Sequence, residues 1–337
     1  MNKKTFFKRL LIGFIMVLVV CVGILFGLAS KATPSQITYG MSFNTMYAHE
    51  LGLNWQESYD AILHELGVRH LRLAAHWPMV EPSPGEYNFT ELDYQIAEAE
   101  AVGADVILAV GRRLPRWPEC HVPVWAAELS GAPRDAAQLR YMEQVVNRYK
   151  DSPAVKYWQV ENEPFLKAFA FEHCGDLDVN FLEAEIAFVR SLDPTRSIVV
   201  TDSGNLGLWS GAYKRGDIFG TSVYVHFWNP DLGQFKTLLP PFTYTIKENL
   251  MGLLYGKKPV ILIELSAEPW LIEPIMQVPL PIQFSRMDLE KFKDIMAYAE
   301  ATKFDKQYLW GAEWWYWLRQ QGHPEFWEYG KTIFSEQ

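Results

Sequence analysis

The chain has 337 residues, 49% of them apolar and 21% charged, a composition that excludes a disordered polypeptide and a length that allows one large domain or two small ones. Aromatic residues reach 15%, with 13 Trp, and 31 basic against 40 acidic residues leave a formal charge of -9. That balance excludes a nucleic-acid binder, which needs a basic face to displace counterions from phosphates.

Residues 1–9 carry Lys3, Lys4, Lys8 and Arg9, and an uncharged run of nineteen residues follows at 10–28. As a helix this run spans about 28 Å, close to the hydrocarbon thickness of a bilayer and longer than the apolar stretch of most cleaved leaders. A membrane segment is therefore expected at 10–29. It is either an uncleaved anchor with a cytoplasmic flank at 1–9, or a signal peptide cut after Ala32, where Ser30 and Ala32 are small. In both cases the basic flank stays inside and the rest of the chain is exported, tethered outside the cell membrane or secreted. Removing residues 1–32 takes away five basic residues and no acidic one, which leaves 26 against 40 and a formal -14. Anionic lipid repels such a surface. Residues 30–36 read as a short linker and 37–337 as one domain, with no further composition break or repeat.

Within that domain two kinds of segment alternate. Runs rich in β-formers lie at 37–43, 68–73, 105–110, 156–160, 197–201, 218–223, 259–263 and 307–312. Helical spacing occupies 55–66, 91–101, 136–149, 181–192 and 288–302. Eight strands, most of them separated by helical stretches, predict an α/β fold of the (β/α)8 barrel type.

In that fold chemistry gathers where the C-terminal ends of the strands meet the following loops. The second strand ends in Arg72, with His76 and Trp77 beyond it, and the third runs into Arg112, Arg113, Pro115, Arg116 and Trp117. The fourth ends in Glu161, Asn162, Glu163 and Pro164, the sixth in Tyr224 and His226, the seventh in Glu264, and the eighth in Glu313, Trp314 and Trp315. A carboxylate at the end of a buried strand is costly to desolvate unless it is paired, hydrogen-bonded or neutral. Strands four and seven face each other across an eight-stranded barrel. Two carboxyl groups converging across a sugar-sized cleft, roughly 5 Å apart, are what retaining glycoside hydrolysis uses. The plain alternative is that each Glu pairs with a neighbouring Arg.

The strings at these positions resemble those of clan A glycoside hydrolases and are closest in pattern to the cellulase-like glycoside hydrolase family 5. In "YWQVENEP" the Asn-Glu-Pro string ends the fourth strand, and in "KPVILIEL" a Glu ends the seventh after an apolar run. The resemblance implies that Glu163 is the acid/base, Glu264 the nucleophile and Asn162 a ligand of the sugar hydroxyl beside the reacting carbon. Arg72 in "RLAAHW" matches an arginine next to the nucleophile, and Trp315 in "GAEWWYW" matches a sugar-stacking Trp. Two departures stand out. Gly111, Arg112 and Arg113 occupy the third-strand end where the family usually has His, and Tyr224 precedes His226 where the family commonly has the reverse order. The implied activity is retaining hydrolysis of a β-linked oligo- or polysaccharide. A transglycosylase with the same site and a non-catalytic carbohydrate-binding barrel are the alternatives.

His76, Trp77, Tyr224, His226, Trp270 and Glu313 complete the expected substrate contacts, since flat aromatic faces match the C–H faces of pyranose rings. Glu161 is expected to partner a basic residue and Glu268 to belong to a substrate loop. Cys120 and Cys174 fall in neighbouring loops of an exported domain, which suggests a disulfide. Free thiols, or a metal site built from "ECH" at 119–121 and "EHC" at 172–174, remain open. No metal-binding, phosphate-loop, dinucleotide or serine-hydrolase motif is found and no cofactor is implied.

Overall fold

The strands are rich in Val, Ile and Leu because each is covered on both faces, by barrel interior on one side and helices on the other. In the computed structural model, which describes residues 27–117, 119–168 and 174–335 together with Phe7, Met16 and Gly23, the strands are β1 Thr38–Ser42, β2 His70–Ala74, β3 Asp105–Val110, β4 Val155–Val160, β5 Ser197–Asp202, β6 Ile218–Val223, β9 Val260–Ser266 and β10 Lys306–Trp310. They pair in parallel and close in the order β1, β10, β9, β6, β5, β4, β3, β2. The expected (β/α)8 barrel is the fold observed. A two-stranded antiparallel hairpin, β7 His226–Asn229 and β8 Gly233–Lys236, stands apart from the barrel.

The lower barrel interior is a small apolar cluster of Ile107, Val199, Ile218, Ile261, Ile263 and Tyr308. Tyr308 lies over Gly40, where an added Cβ would come within 2.5 Å of the ring. A much larger core lies between strands and helices and includes Trp158, Trp209, Trp314, Trp315 and Trp327. The expected helices are present as Trp55–His64, Thr90–Ala101, Ala132–Tyr149, Val179–Leu192 and Leu289–Ala301. Asn54, Asp178 and Asp288 cap three of them by accepting from the first free backbone N–H groups.

Two boundaries differ from the sequence reading. The eighth barrel strand stops at Trp310, because Gly311 adopts φ 116° and the helix Ala312–Gln320 starts at once. The hairpin and the helix Phe242–Tyr255 fill the stretch after the sixth barrel strand. Their signals are a Pro-Asp-Leu-Gly turn between apolar runs, and a Pro-Pro entry with a Gly256 exit. The apolar segment 10–29 lies outside the described residues except for Met16, Gly23 and 27–29, which are helical. Among the described residues no helix is long and apolar enough to cross a membrane.

Gly204, in the loop after β5, sets the spacing between this loop and β6. A Cβ there would sit 1.8 Å from the Ser222 backbone carbonyl and 2.7 Å from the Tyr244 ring. Gly204→Ala should therefore lower stability by about 2 kcal/mol or more, read as a lower urea midpoint.

Candidate active site

Arg72, on β2 and 1% exposed, is the hub of the barrel mouth. Its Nε donates to Gln159 Oε1 at 2.8 Å, Nη2 to Asn162 Oδ1 at 2.7 Å and Nη1 to Glu264 Oε1 at 2.7 Å. One guanidinium thus ties β2 to β4, to the turn after β4 and to β9. Glu264 reaches this position through a bulge. Thr221 and Ser222 on β6 face Leu262 and Glu264, and Gln307 and Leu309 on β10 face Leu262 and Leu265. Both neighbours record one extra residue on β9, between Leu262 and Glu264 against β6 and between Leu262 and Leu265 against β10. Strand side chains normally alternate, yet Ile263 fills the barrel interior and Glu264 bonds Arg72 just above it. The bulge re-aims Glu264 into the mouth. Tyr224 donates its OH to the other oxygen, Oε2, at 2.9 Å.

The turn after β4 carries Glu161 and Glu163 at φ 58° and 42°, a backbone region that non-glycine residues seldom adopt. Four contacts hold it. The Asn162 N–H donates to Arg113 O, and the Glu163 N–H donates to Thr201 Oγ1 at 2.8 Å. The Glu161 carboxylate accepts from the backbone N–H groups of Arg112 and Arg113 at 2.9 and 2.7 Å. Asn162 Oδ1 also accepts from Gln159 Nε2 and Thr201 Oγ1, which fixes its amide and leaves the NH2 end for an outside acceptor.

Glu163 and Glu264 share the mouth but not their surroundings. Glu264 is gripped by a cation and a hydroxyl. Glu163 is 3% exposed, Ser222 bonds its carboxyl group, and its Oε1 is buried with no hydrogen-bond partner among the described residues. Burial, then the charge of Glu264, then that of Glu119, push the Glu163 carboxyl well above the usual carboxylate range.

Around this centre Tyr224 meets the edge of Trp270 at 5.2 Å between ring centroids, and Trp310 lies 6.3 Å away. Trp270 and Trp310 are half-buried, and the Trp310 Nε1 is buried without a partner among the described residues. Arg116 donates to Glu268 at 2.7 Å and lies over the Tyr47 and Trp310 rings. Glu313 accepts from the Asn44 N–H at 2.6 Å, and burial raises its carboxyl pKa to about 7. Glu119 pairs with Arg113 through Nε and Nη2 at 2.9 and 2.8 Å. Beside it Cys120 and Cys174 form a disulfide with Cα atoms 5.3 Å apart, so these thiols are neither free nor metal ligands. His173 lies outside the described residues, and among the described residues no cluster of His, Cys, Asp and Glu is set to hold a metal ion.

Several expected substrate contacts are placed elsewhere. Trp77 is fully buried, stacked on Tyr141 with its Nε1 donating to Glu81, so its face is closed to a ligand. Trp315 is fully buried within the helix Ala312–Gln320 and donates to Ala267 O at 2.8 Å. Trp310, at the true strand end, stands at the mouth instead, and Gly311 was the sequence signal for it. His226 turns to Asp294 at 2.8 Å, on the helix Leu289–Ala301, because the hairpin carries it away from the sixth strand. His76 is buried edge-on against His121 at 4.6 Å, and burial, then His121, keep it neutral. It also lines a side cavity of about 300 Å³ with Pro78, Met79, Glu91 and Gln95, and neither Glu163 nor Glu264 reaches that cavity. Glu161 partners backbone amides in place of the expected basic side chain, whereas Glu268 is the residue that pairs with an arginine. Glu119 was missed, having no signal beyond its place next to Cys120.

Comparison with known proteins agrees with this architecture. Residues 49–129 match the family described as Beta-galactosidase (Glyco_hydro_42). The chain is 26% identical over 136 residues to Mannan endo-1,4-beta-mannosidase F of Aspergillus clavatus, covering 40% of this chain and 30% of that protein. It is 25% identical over 200 residues to a Beta-galactosidase of Arthrobacter sp, covering 53% and 25%. The chain thus spans under a third of the length of these curated relatives. Among solved structures it superposes on GH5_18 from Bifidobacterium longum with TM-score 0.56 at 15% identity, covering 82% of this chain and 70% of that one. With endo-glycoceramidase II from Rhodococcus sp. the TM-score is 0.55 at 16% identity, covering 82% and 73%. At that identity the likeness is one of fold. The family match and these curated relatives are glycosidases, and the solved structures share the barrel fold.

Beneath the turn, Gln138 Nε2 donates to Glu161 at 2.8 Å and also to Glu185, whose carboxyl group is raised well above its usual range by burial and then by Glu161. A raised folded pKa means that the proton favours the native state, so this stability is present below about pH 4.3 and is lost as pH rises toward the folded value. Glu185→Gln keeps a donor toward Glu161 and removes the titration. Its unfolding free energy relative to the parent should increase from pH 4.5 to pH 8 in urea titrations, and an unchanged difference would refute a protonated Glu185.

Proposed function

We propose that the chain is a retaining β-glycosidase that hydrolyses a β-linked oligo- or polysaccharide, with Glu163 as acid/base and Glu264 as nucleophile. The observation that carries this reading is the contrasting environment of two carboxyl groups at the barrel mouth. Glu264 has Arg72 and Tyr224 on its two oxygens, while Glu163 is buried and, among the described residues, has no cation partner and keeps one bare oxygen. In the first step Glu264 attacks the anomeric carbon while Glu163 gives its proton to the departing glycosidic oxygen. The ester so formed has no charge on Glu264, which removes one cause of the raised Glu163 pKa. Glu163, now ionised, takes a proton from water, whose oxygen attacks the same carbon and releases Glu264 as carboxylate. Asn162 offers its NH2 end to a sugar hydroxyl beside that carbon. Trp270, Tyr224 and Trp310 supply aromatic faces suited to pyranose rings.

On this reading the domain works outside the cell membrane, tethered by residues 10–29. The support is the apolar run and the basic flank before it.

Glu264→Ala should reduce turnover to background, and a 2-deoxy-2-fluoro glycoside should label Glu264 covalently. Glu163→Ala should lose about 10²- to 10⁴-fold on substrates with poor leaving groups, spare activated aryl glycosides and be rescued by azide. Because the raised Glu163 pKa governs the protonated form, parent activity should fall as pH rises through it, and Glu163→Ala should abolish that alkaline limb. Wild-type activity of the Glu264 variant overturns the assignment.

A further inference from the structure

The helix Phe242–Tyr255 carries an apolar side that the barrel does not cover. Tyr244, Thr245 and Met251 face inward, but Leu250, Leu253, Leu254 and Tyr255 are 36%, 76%, 57% and 45% exposed. Phe242, Ile246, Leu250 and Leu253 recur at helical spacing, so the exposed residues form a stripe. Patches of this kind mark contact surfaces.

Two further observations meet at the same place. Asn249 Nδ2 donates to Leu28 O at 2.8 Å and to Ser30 O at 3.2 Å, and Lys303 Nζ donates to Lys31 O at 2.6 Å. The end of the apolar run 10–28 is therefore pinned to this helix, one turn from Leu253. Next to it a cleft of about 290 Å³ is lined by Lys31, Lys257 and Lys258 together with Glu248, Asn249 and Tyr213. Lys31 pairs with Glu248, and Lys258 donates to the Tyr213 and Gly216 carbonyls. Lysines thus gather at this end of a domain whose overall charge is negative.

We propose that the C-terminal half of this helix is a membrane-docking surface: Leu250, Leu253, Leu254 and Tyr255 enter the interface of the bilayer that holds residues 10–28, and the lysine cleft faces phospholipid headgroups. The inference rests on the tethering stated above. An apolar run pinned at Asn249 cannot sit in a bilayer without bringing Leu253 to its boundary, and burying the stripe there removes apolar area from water. Lys257 and the start of β9 lie at the end of the barrel opposite Glu163 and Glu264, so docking turns the mouth away from the lipid. The substrate class this favours is a polymer or oligosaccharide on the outer side, in preference to a glycolipid headgroup in the same leaflet.

The test uses the full chain with Cys21→Ser and Leu253→Cys, labelled with an environment-sensitive nitrobenzoxadiazole probe and reconstituted in phosphatidylcholine vesicles containing headgroup-level nitroxide lipid. Val124→Cys, at a site 91% exposed at the start of the short helix Val124–Ala127, is the control. Docking requires a blue-shifted, nitroxide-quenched probe at 253 and a water-like, unquenched probe at 124. A chain that floats with the vesicles while both probes remain water-like overturns docking alone. A chain that does not float overturns the tether and docking with it. A blue shift that follows protein concentration and not lipid assigns the stripe to a second copy and also overturns docking. Hydrolysis of a soluble aryl glycoside, read on the same samples, tests the glycosidase reading separately.

Discussion

The mouth of the barrel depends on one buried guanidinium. Arg72 cannot lose its charge, so its burial is tolerable only if nearly every N–H finds an acceptor. Gln159, Asn162 and Glu264 supply them from two walls of the barrel and from the turn after β4. The planar fork fixes distance and angle together, and a lysine on the same strand offers only a point charge. Because the acceptors are themselves held by Thr201, Gln159 and Tyr224, the network is satisfied as a unit, and displacing one member strands the others.

The same logic explains why the two carboxyl groups differ. Burial penalises the charged form of a carboxylate, and the groups in contact with it set the local charge. Glu264 has a cation and a hydroxyl; Glu163 has Ser222 and the negative fields of Glu264 and Glu119. A second pair repeats this arrangement behind the turn, where Glu161 is anchored by two backbone amides and Glu185 is raised beside it. The left-handed backbone at Glu161 and Glu163 is thus supported from both sides.

The alternation of β-rich and helical runs made the barrel and its eight strands legible, because strands buried on both faces cannot hide their composition. Asn162, Glu163, Glu264 and Arg72 stood out because polar groups that end apolar strands need partners, and the resemblance of their strings to clan A glycoside hydrolases singled them out from other strand-end groups such as Glu161. The aromatic residues were less readable. Trp310 and Trp315 lie five positions apart in one Trp-rich string, and only the chain reversal at Gly311 sends one to the mouth and the other into the core. His226 follows the sixth strand as expected, yet the hairpin turns it to Asp294. Glu119 has no pattern of its own, since its position comes from Arg113 and the neighbouring disulfide.

From the sequence by itself follow the barrel and the end of it that carries the polar groups, which depend on periodicity and on the cost of ending an apolar strand in a charge; the choice of Glu163 and Glu264 as the candidate pair came from the resemblance of their strings to clan A glycoside hydrolases. Tertiary structure alone decided which way each side chain faces. A one-residue bulge on β9 aims Glu264 at Arg72, a glycine turn selects Trp310, and partners far along the chain make Glu163 and Glu264 electrostatically unlike. Such features arise from contacts between residues distant in sequence, and no local pattern records them.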